Sequence, residues 1–203
     1  MKRVVVLIDG YNVYHALDEW KELRKYKWLD YSKLIFSMVS KKDKIVGIHY
    51  FTSLMTWKPE KVAKHKIFIK ANELHGVNVV YGKYKDKDRF CPYCRKEYKS
   101  HEEKQPDVNI AIHLFKLAMG DHFDAALIMS ADSDLVPALK DFRTTFPNKE
   151  VGVLFPFGRG SKELRERVDF HRRVKRGHLD QSMFPEEIPL GDGQKLTRPA
   201  SWR

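Results

Sequence analysis

The chain has 203 residues, 42% hydrophobic and 12% aromatic, which is enough for one sizeable core but cramped for two full domains. Its 38 Lys and Arg against 27 Asp and Glu leave a formal charge of +11, which favours a polyanionic partner over a merely basic surface, and nucleic acid over a membrane. No apolar run approaches the roughly 20 residues that span a bilayer, and two cysteines exclude a disulfide framework, so we expect a cytoplasmic protein.

Short apolar runs alternate with helix-length segments along most of the chain. In chain order, the prediction is strand 4–8, helix 11–24, helix 31–39, strand 45–51, helix 59–75, strand 77–81, helix 108–119, strand 125–129, helix 135–142, strand 151–155 and a helical stretch 161–174. Strands that are apolar on both faces suit a parallel sheet with helices on two sides. The C-terminal ends of the strands then share one edge, where ligands bind in such folds.

Two segments depart from this alternation. Segment 83–104 is densely charged and contains both cysteines and Pro92, so we predict a protruding hairpin inserted into one domain that spans 1–180. The tail 181–203 has three prolines and a Gly-Asp-Gly turn, and we predict that it lies extended over the surface.

Aspartates recur where predicted strands end or helices begin. Asp9 ends the first strand, and Gly10 lets the backbone turn sharply, which places the Asp9 carboxylate at the rim of the sheet. Asn12 follows in the first helical turn, where an amide can orient a phosphate but is also a common cap. Read alone, Asp9 is more simply a turn or capping residue.

Asp107 follows Pro106 at the expected start of a helix, where an acid is also a common cap. The amphipathic run behind it would turn His113 towards the sheet, as a boundary histidine and not as a ligand. After the most apolar strand, Ser130 precedes Asp132 and Asp134. One acid suffices as a cap there, and two close carboxylates repel each other unless they share a cation or a proton.

Taken together, the four acids predict one cleft that holds Mg²⁺ or Mn²⁺ with oxygen ligands. Such ions polarise a phosphoryl oxygen and lower the pKa of water, which indicates phosphodiester hydrolysis. Binding of a dinucleotide or a nucleoside triphosphate is less well supported, because the sequence has neither G-x-G-x-x-G after the first strand nor a Walker glycine loop.

The segments IDGYNVYHAL, EEKQPDVNIAIHLF and DAALIMSADSDLVPAL resemble the bacterial LabA-like branch of the NYN domains, from about Arg3 to Phe170. This resemblance implies an α/β, PIN-like Rossmannoid three-layer fold, with a central parallel sheet flanked by helices. It also implies a Mg²⁺- or Mn²⁺-dependent ribonuclease.

The family motifs also assign roles to residues of this chain. By this match Asp9, Asp107 and Asp132 bind the metal, and Asp134 joins them as a fourth catalytic acid. Asn12 and Ser130 are the supporting polar groups. The chain departs from the family in having Gln105-Pro106 before Asp107 and Ala131 where glycine is frequent, but neither change removes an acid.

The pair Cys91 and Cys94 has the spacing of a zinc knuckle. A structural Zn²⁺ site needs two further ligands, for which His101 is the nearest candidate and a second chain another. A reduced, metal-free hairpin tip is the stronger interpretation, and both alternatives stay open.

Basic residues supply the predicted contacts to RNA. Arg159 and Lys162 would neutralise the scissile phosphate, and the cluster Arg172, Arg173, Lys175 and Arg176 would hold the strand. The hairpin adds basic and aromatic residues in alternation, a combination typical of single-strand binding, although five acids make a solvated loop equally plausible.

The leading hypothesis is therefore a metal-dependent ribonuclease acting on RNA, with single-stranded RNA as the expected partner. The alternative is a non-catalytic RNA-binding or regulatory module that keeps the acidic cleft. A small-molecule phosphatase would need a nucleophilic device that the sequence does not offer. A homo-oligomer is compatible with all three.

Overall fold

The structure is a computed structural model that describes residues 1–104 and 106–203, and the side chains of 85, 86, 99–104 and 106 lie outside this description. Its strands are β1 (Arg3–Asp9), β2 (Lys44–Thr52), β3 (Asn78–Tyr81), β4 (Lys83–Phe90), β5 (Glu97–Lys104), β6 (Ala125–Met129), β7 (Glu150–Phe155), β8 (Phe170–Arg173), β9 (Glu187–Gly191) and β10 (Gln194–Thr197). Its α-helices are α1 (Gly10–Asp18), α2 (Tyr31–Met38), α3 (Pro59–Leu74), α4 (Pro106–Met119), α5 (Val136–Thr145), α6 (Lys162–Glu166) and α7 (Arg176–Gln181).

Six parallel strands form the central sheet in the order β3-β2-β1-β6-β7-β8. Because successive side chains of a strand point to opposite faces, Val4 and Val6 join a core with α1, α2 and α3, whereas Val5 and Leu7 join a core with α4 and α5. Helices therefore cover both faces of the sheet. This confirms the predicted three-layer α/β fold.

The order of the strands reverses between β1 and β6. Chain order runs outwards on one side through β2 and β3, and on the other through β7 and β8. In open parallel sheets, such a reversal leaves a crevice at the C-terminal ends of the two central strands, which is where ligands bind. Asp9 ends β1 and Asp132 follows β6, so the chain places two of the predicted acids at this crevice.

Five predicted strands form close to their predicted bounds, but two helices differ. The helix predicted over 11–24 ends at Asp18, and a 3₁₀ helix follows over Lys21–Lys27. The break returns Leu23 and Tyr26 to the core, where both are buried.

The helix predicted over 161–174 forms only over α6, and the prediction is wrong for the residues that follow. Phe170–Arg173 instead pairs in parallel with β7 as the edge strand β8. A Cβ atom at Gly152 would lie 2.2 Å from Cε2 of Phe170, so the missing side chain of β7 makes room for this ring. Packing at the sheet edge therefore outweighs the helical pattern.

Segment 83–104 forms a hairpin, with β4 and β5 paired antiparallel from Lys83 to Phe90. The tail is more ordered than predicted, since β9 and β10 form a second hairpin and a 3₁₀ helix spans Ala200–Trp202. Trp202 packs against Phe68 of α3, with ring centroids 6.0 Å apart. Within the described residues, no helix is both long and apolar enough to cross a membrane.

Candidate metal centre

Three aspartates meet at the crevice between β1 and β6. One carboxylate oxygen each from Asp9, Asp107 and Asp132 lies within 4.8 Å of the others. Two oxygens on a common Mg²⁺ or Mn²⁺ at roughly 2.1 Å lie at most about 4.2 Å apart, so a small contraction would bring all three onto one ion. An all-oxygen donor set of this kind fits a hard divalent cation.

Asp9 is buried and held by two hydrogen bonds. Its Oδ1 accepts from the backbone N–H of Asn12 at 3.0 Å, which caps α1, and its Oδ2 accepts from Oγ of Ser130 at 2.8 Å. Each carboxylate oxygen has two lone pairs, so these bonds leave acceptor capacity for a cation. The capping role and the metal-binding role predicted for Asp9 are therefore compatible.

Asn12 and Ser130 tie the start of α1 to the loop after β6. Oγ of Ser130 also accepts from the backbone N–H of Asp132 at 3.0 Å, and Oδ1 of Asn12 accepts from the backbone N–H of Ala131 at 3.1 Å. Ser130 is fully buried. The two residues predicted as supporting groups thus fix the positions of two of the acids.

Asp134 lies beside the cluster but outside it. Its backbone N–H donates to Oδ1 of Asp132 at 3.1 Å, while its own side chain is exposed. Its negative charge nevertheless contributes to the raised pKa of Asp107.

The cluster is electrostatically unfavourable without a cation. Burial raises the pKa of Asp107 to about 6, helped by the negative charges of Asp9, Asp132 and Asp134. Burial also raises the pKa of Asp9, against the hydrogen bonds from Asn12 and Ser130. A divalent cation would remove this repulsion, because opposite charge favours the ionised form of a carboxyl group.

His113 has the boundary position that its place in the helix predicts. Its Nε2 lies 3.2 Å from Nδ1 of His49, and the two rings are 4.5 Å apart. Burial, with a smaller effect of His113, lowers the pKa of His49 to about 4, so at neutral pH one uncharged imidazole donates to the other. This pair is separate from the acidic cluster.

The predicted RNA-binding residues do not form one surface. Arg173 stacks over the ring of Phe155 at 5.6 Å, at the same end of the sheet as the acids, and Arg159 pairs with Glu19 at 2.8 Å. Arg172 donates instead to the backbone carbonyl of Met38, the last residue of α2.

The remaining basic candidates lie at helix starts. Lys162 is exposed in the first turn of α6, 3.9 Å from Glu166. Lys175 is the N-cap of α7, and Arg176 begins that helix, where hydrogen bonding to Tyr26 raises its pKa.

The tip of the β4–β5 hairpin has a geometry that stabilises a thiolate. The backbone N–H and thiol of Cys94, with the backbone N–H of Tyr93, lower the pKa of Cys91. Arg95 adopts a left-handed φ of 55° that closes the turn, and both thiols are free. The side chain of His101 lies outside the described residues. The backbone of His101 pairs with Asp86, and this pair lies four residues along the hairpin from Phe90 and Glu97, the last pair before the tip.

A cavity of about 360 Å³, which the sequence does not predict, lies on the α1 side of the crevice. Gly10 and Tyr11, which follow Asp9 directly, form part of its wall, and Lys61, Lys64 and His65 of α3 form another part. The spacing of these α3 residues with Phe68 is that of one helical face, a signal that could have indicated a shared surface.

Comparison with known proteins places the acids within a recognised domain. The profile of the NYN domain matches residues 3–173. The chain is 26% identical over 246 positions to 6-hydroxy-3-succinoylpyridine 3-monooxygenase HspA of Pseudomonas putida, covering 98% of this chain and 75% of that protein. A protein of unknown function from Vibrio parahaemolyticus has a similar structure, with a TM-score of 0.60 at 18% identity, over 90% of this chain and 96% of that one. At that identity the likeness concerns the fold alone.

Proposed function

Because the chain belongs to the NYN domain family, whose members are nucleases that generally act on RNA, we propose that it is a divalent-metal-dependent ribonuclease hydrolysing RNA phosphodiester bonds. The observation that carries this proposal is the convergence of Asp9, Asp107 and Asp132 to within 4.8 Å at the crevice. The order of motifs further favours the LabA-like branch of the family. The monooxygenase activity named for the Pseudomonas putida relative is not extended to this chain at 26% identity.

Asp9, Asp107 and Asp132 would hold Mg²⁺ or Mn²⁺. When bound, such an ion supplies Lewis acidity towards a phosphoryl oxygen and lowers the pKa of water. Asn12 and Ser130 keep Asp9 and the loop of Asp132 in place, which limits the reorganisation needed during the reaction.

The outer residues of the site would act on the strand. Asp134, exposed beside Asp132, would act as a fourth acid and orient water. Arg173 and Arg159, near the end of β7, would counter the charge of the scissile phosphate together with Lys162. Arg172, Lys175 and Arg176 would contact phosphates farther along.

A cleavage assay with matched variants tests the proposal. Purified protein with Mn²⁺ or Mg²⁺ should cut a fluorescent single-stranded RNA, and Asp9→Asn combined with Asp132→Asn should reduce the rate at least about 100-fold, because two ligands are lost. Asp141→Asn, at an exposed acid of α5, is the control and should keep the wild-type rate.

Binding measurements separate the two hypotheses. If the double variant cuts RNA as fast as the wild type, the activity comes from a contaminant and the proposal fails. If the wild type binds Mn²⁺ and RNA by calorimetry but cuts neither RNA nor DNA, the non-catalytic RNA-binding module is correct instead.

A further inference from the structure

The 360 Å³ cavity beside the acidic cluster has several aromatic side chains in its walls. These include the side chains of Tyr11 and Tyr14 from α1, Tyr50 from β2, Phe68 from α3 and Trp202. Its volume lies within the range of small-molecule pockets, roughly 300–1,000 Å³. Aromatic walls favour a planar ring, since offset and edge-to-face contacts between rings are attractive.

Uncharged polar groups lie among these aromatic walls. Oγ of Ser53 is buried and has no hydrogen-bond partner among the described residues, which is costly for a hydroxyl group unless a ligand completes it. Nε2 of His65 lies 3.3 Å from the hydroxyl of Tyr50 and 3.2 Å from Oγ1 of Thr52. Burial lowers the pKa of His65 to about 4, so its imidazole is neutral. Such groups can bond to the edge of a heterocycle.

Positive charge surrounds the mouth of the cavity. Lys61 and Lys64 lie on the face of α3 that lines it, and among the described residues neither forms an ion pair with a carboxylate. Arg24 and Lys27, by contrast, are both paired with Asp18. The ammonium groups of Lys61 and Lys64, near the start of a 16-residue helix, favour an anionic group.

The cavity and the acids share one turn of backbone. Gly10 lines the cavity directly after Asp9, and a Cβ atom there would lie 2.5 Å from Cε2 of Tyr50. The turn is therefore packed tightly against the aromatic wall. A ligand in the cavity would lie next to the site where the metal ligands converge.

We propose that this cavity binds one unstacked nucleotide, with its base among the tyrosines and its phosphate at Lys61 and Lys64. In an RNA strand the next phosphodiester then reaches Asp9, Asp107 and Asp132, so the cavity selects the nucleotide beside the cut. This last step rests on the proposed nuclease function, whereas nucleotide binding itself does not.

Binding and cleavage are tested separately. Calorimetry in EDTA with the four 5′-mononucleotides and a short single-stranded RNA should show binding of at least one mononucleotide. Lys61→Ala with Lys64→Ala should weaken that binding at least about tenfold, because two charge-assisted contacts are lost. Lys66→Ala with Lys70→Ala, at exposed positions of α3 that do not line the cavity, should leave it unchanged.

The inference is overturned if no mononucleotide binds, or if the Lys61 and Lys64 variant binds the mononucleotide as tightly as the wild type does. It is also overturned if 6-hydroxy-3-succinoylpyridine binds while nucleotides do not. Binding of the RNA but of no free mononucleotide also counts against a built nucleotide pocket. If nucleotides bind as expected and RNA is not cut, the pocket stands and the nuclease proposal fails.

Discussion

The carboxyl group of Asp107 titrates near neutrality, with a pKa raised to about 6 chiefly by burial and also by the neighbouring acids. Its pKa in the unfolded chain is near the ordinary value of 3.8. The folded state thus holds this proton more tightly than the unfolded state does. The resulting stabilisation is complete below about pH 4 and is lost as the pH rises through about 6.

Asp107→Asn should therefore stabilise the metal-free protein at pH 7 by about 1 to 2 kcal/mol, allowing for partial exposure, and change little at pH 4. Urea unfolding in EDTA at both pH values measures this, with Asp141→Asn as the control. Added Mn²⁺ should stabilise the wild type but not the variant. An equal effect of Asp107→Asn at pH 4 and pH 7 would contradict the pKa argument.

Ser130 acts through its neighbours, as donor to Asp9 and acceptor for the N–H of Asp132. Ser130→Ala leaves both without this partner, which should cost about 1–3 kcal/mol of unfolding free energy and weaken Mn²⁺ binding roughly 10- to 100-fold. Calorimetric Mn²⁺ titration measures the second effect. Ser133→Ala, at an exposed serine three residues on, is the control, and equal Mn²⁺ affinity in both variants would refute this role.

At the scale of elements, Asn72 joins α3 to the start of α2. It is fully buried, accepts from the backbone N–H of Tyr31 at 3.0 Å, and donates to the carbonyl groups of Leu29 and Phe68. Asn72→Ala leaves these backbone groups without their side-chain partner and should lower the free energy of unfolding by about 2–4 kcal/mol. Denaturant unfolding measures this change in the free energy of unfolding, with Asn78→Ala as the exposed control. Equal losses of stability in the two variants would show that the contacts of Asn72 contribute little.

The hairpin tip gives a chemical prediction. Because backbone N–H groups and the neighbouring thiol lower the pKa of Cys91, iodoacetamide at pH 7.5 should alkylate it faster than it alkylates glutathione. Cys94→Ser isolates the reaction at Cys91 for mass spectrometry, and a rate no faster than glutathione would contradict the prediction. Protection of the wild type by Zn²⁺ would decide for the zinc knuckle, and its absence for the metal-free tip.

The sequence predicts elements where one local pattern dominates. Val4 to Ile8 and Ala125 to Met129 are apolar on both faces, which favours central strands of a covered sheet and puts the acids that follow them at its edge. The strand β8 could not be predicted in this way, because it depends on the space that Gly152 leaves for Phe170.

Only the α3 wall of the cavity has a signal in the sequence, and the cavity as a whole could not be predicted for a related reason. Its walls come from α1, β2, α3 and Trp202, which are far apart in the chain and meet only in the folded molecule. Each wall residue has an ordinary interpretation when read locally: a tyrosine in an amphipathic helix, or a lysine on a solvated face.

At the scale of the whole molecule, the charge of +11 should make RNA affinity depend on salt. For single strands the logarithm of affinity falls by about 0.7 per phosphate contact for each tenfold rise in salt, so about four contacts predict a slope near −3. Fluorescence anisotropy in EDTA measures this slope. Arg173→Ala should make the salt slope shallower by about 0.7. Arg165→Ala, at an exposed arginine of α6, is the control and should leave the slope unchanged. A slope near zero for the wild type would rule out phosphate contacts.

The base of the β4–β5 hairpin forms part of the cavity wall, whereas its tip lies far from the cavity. Tyr84, near its base, lines the cavity and meets the ring of Trp57 edge-on at 4.7 Å. The tip begins six residues farther along β4, about 20 Å away at the usual rise of a strand. A small tilt at Tyr84 is therefore magnified at Cys94, so a fluorophore on that thiol would register events in the cavity from a distance.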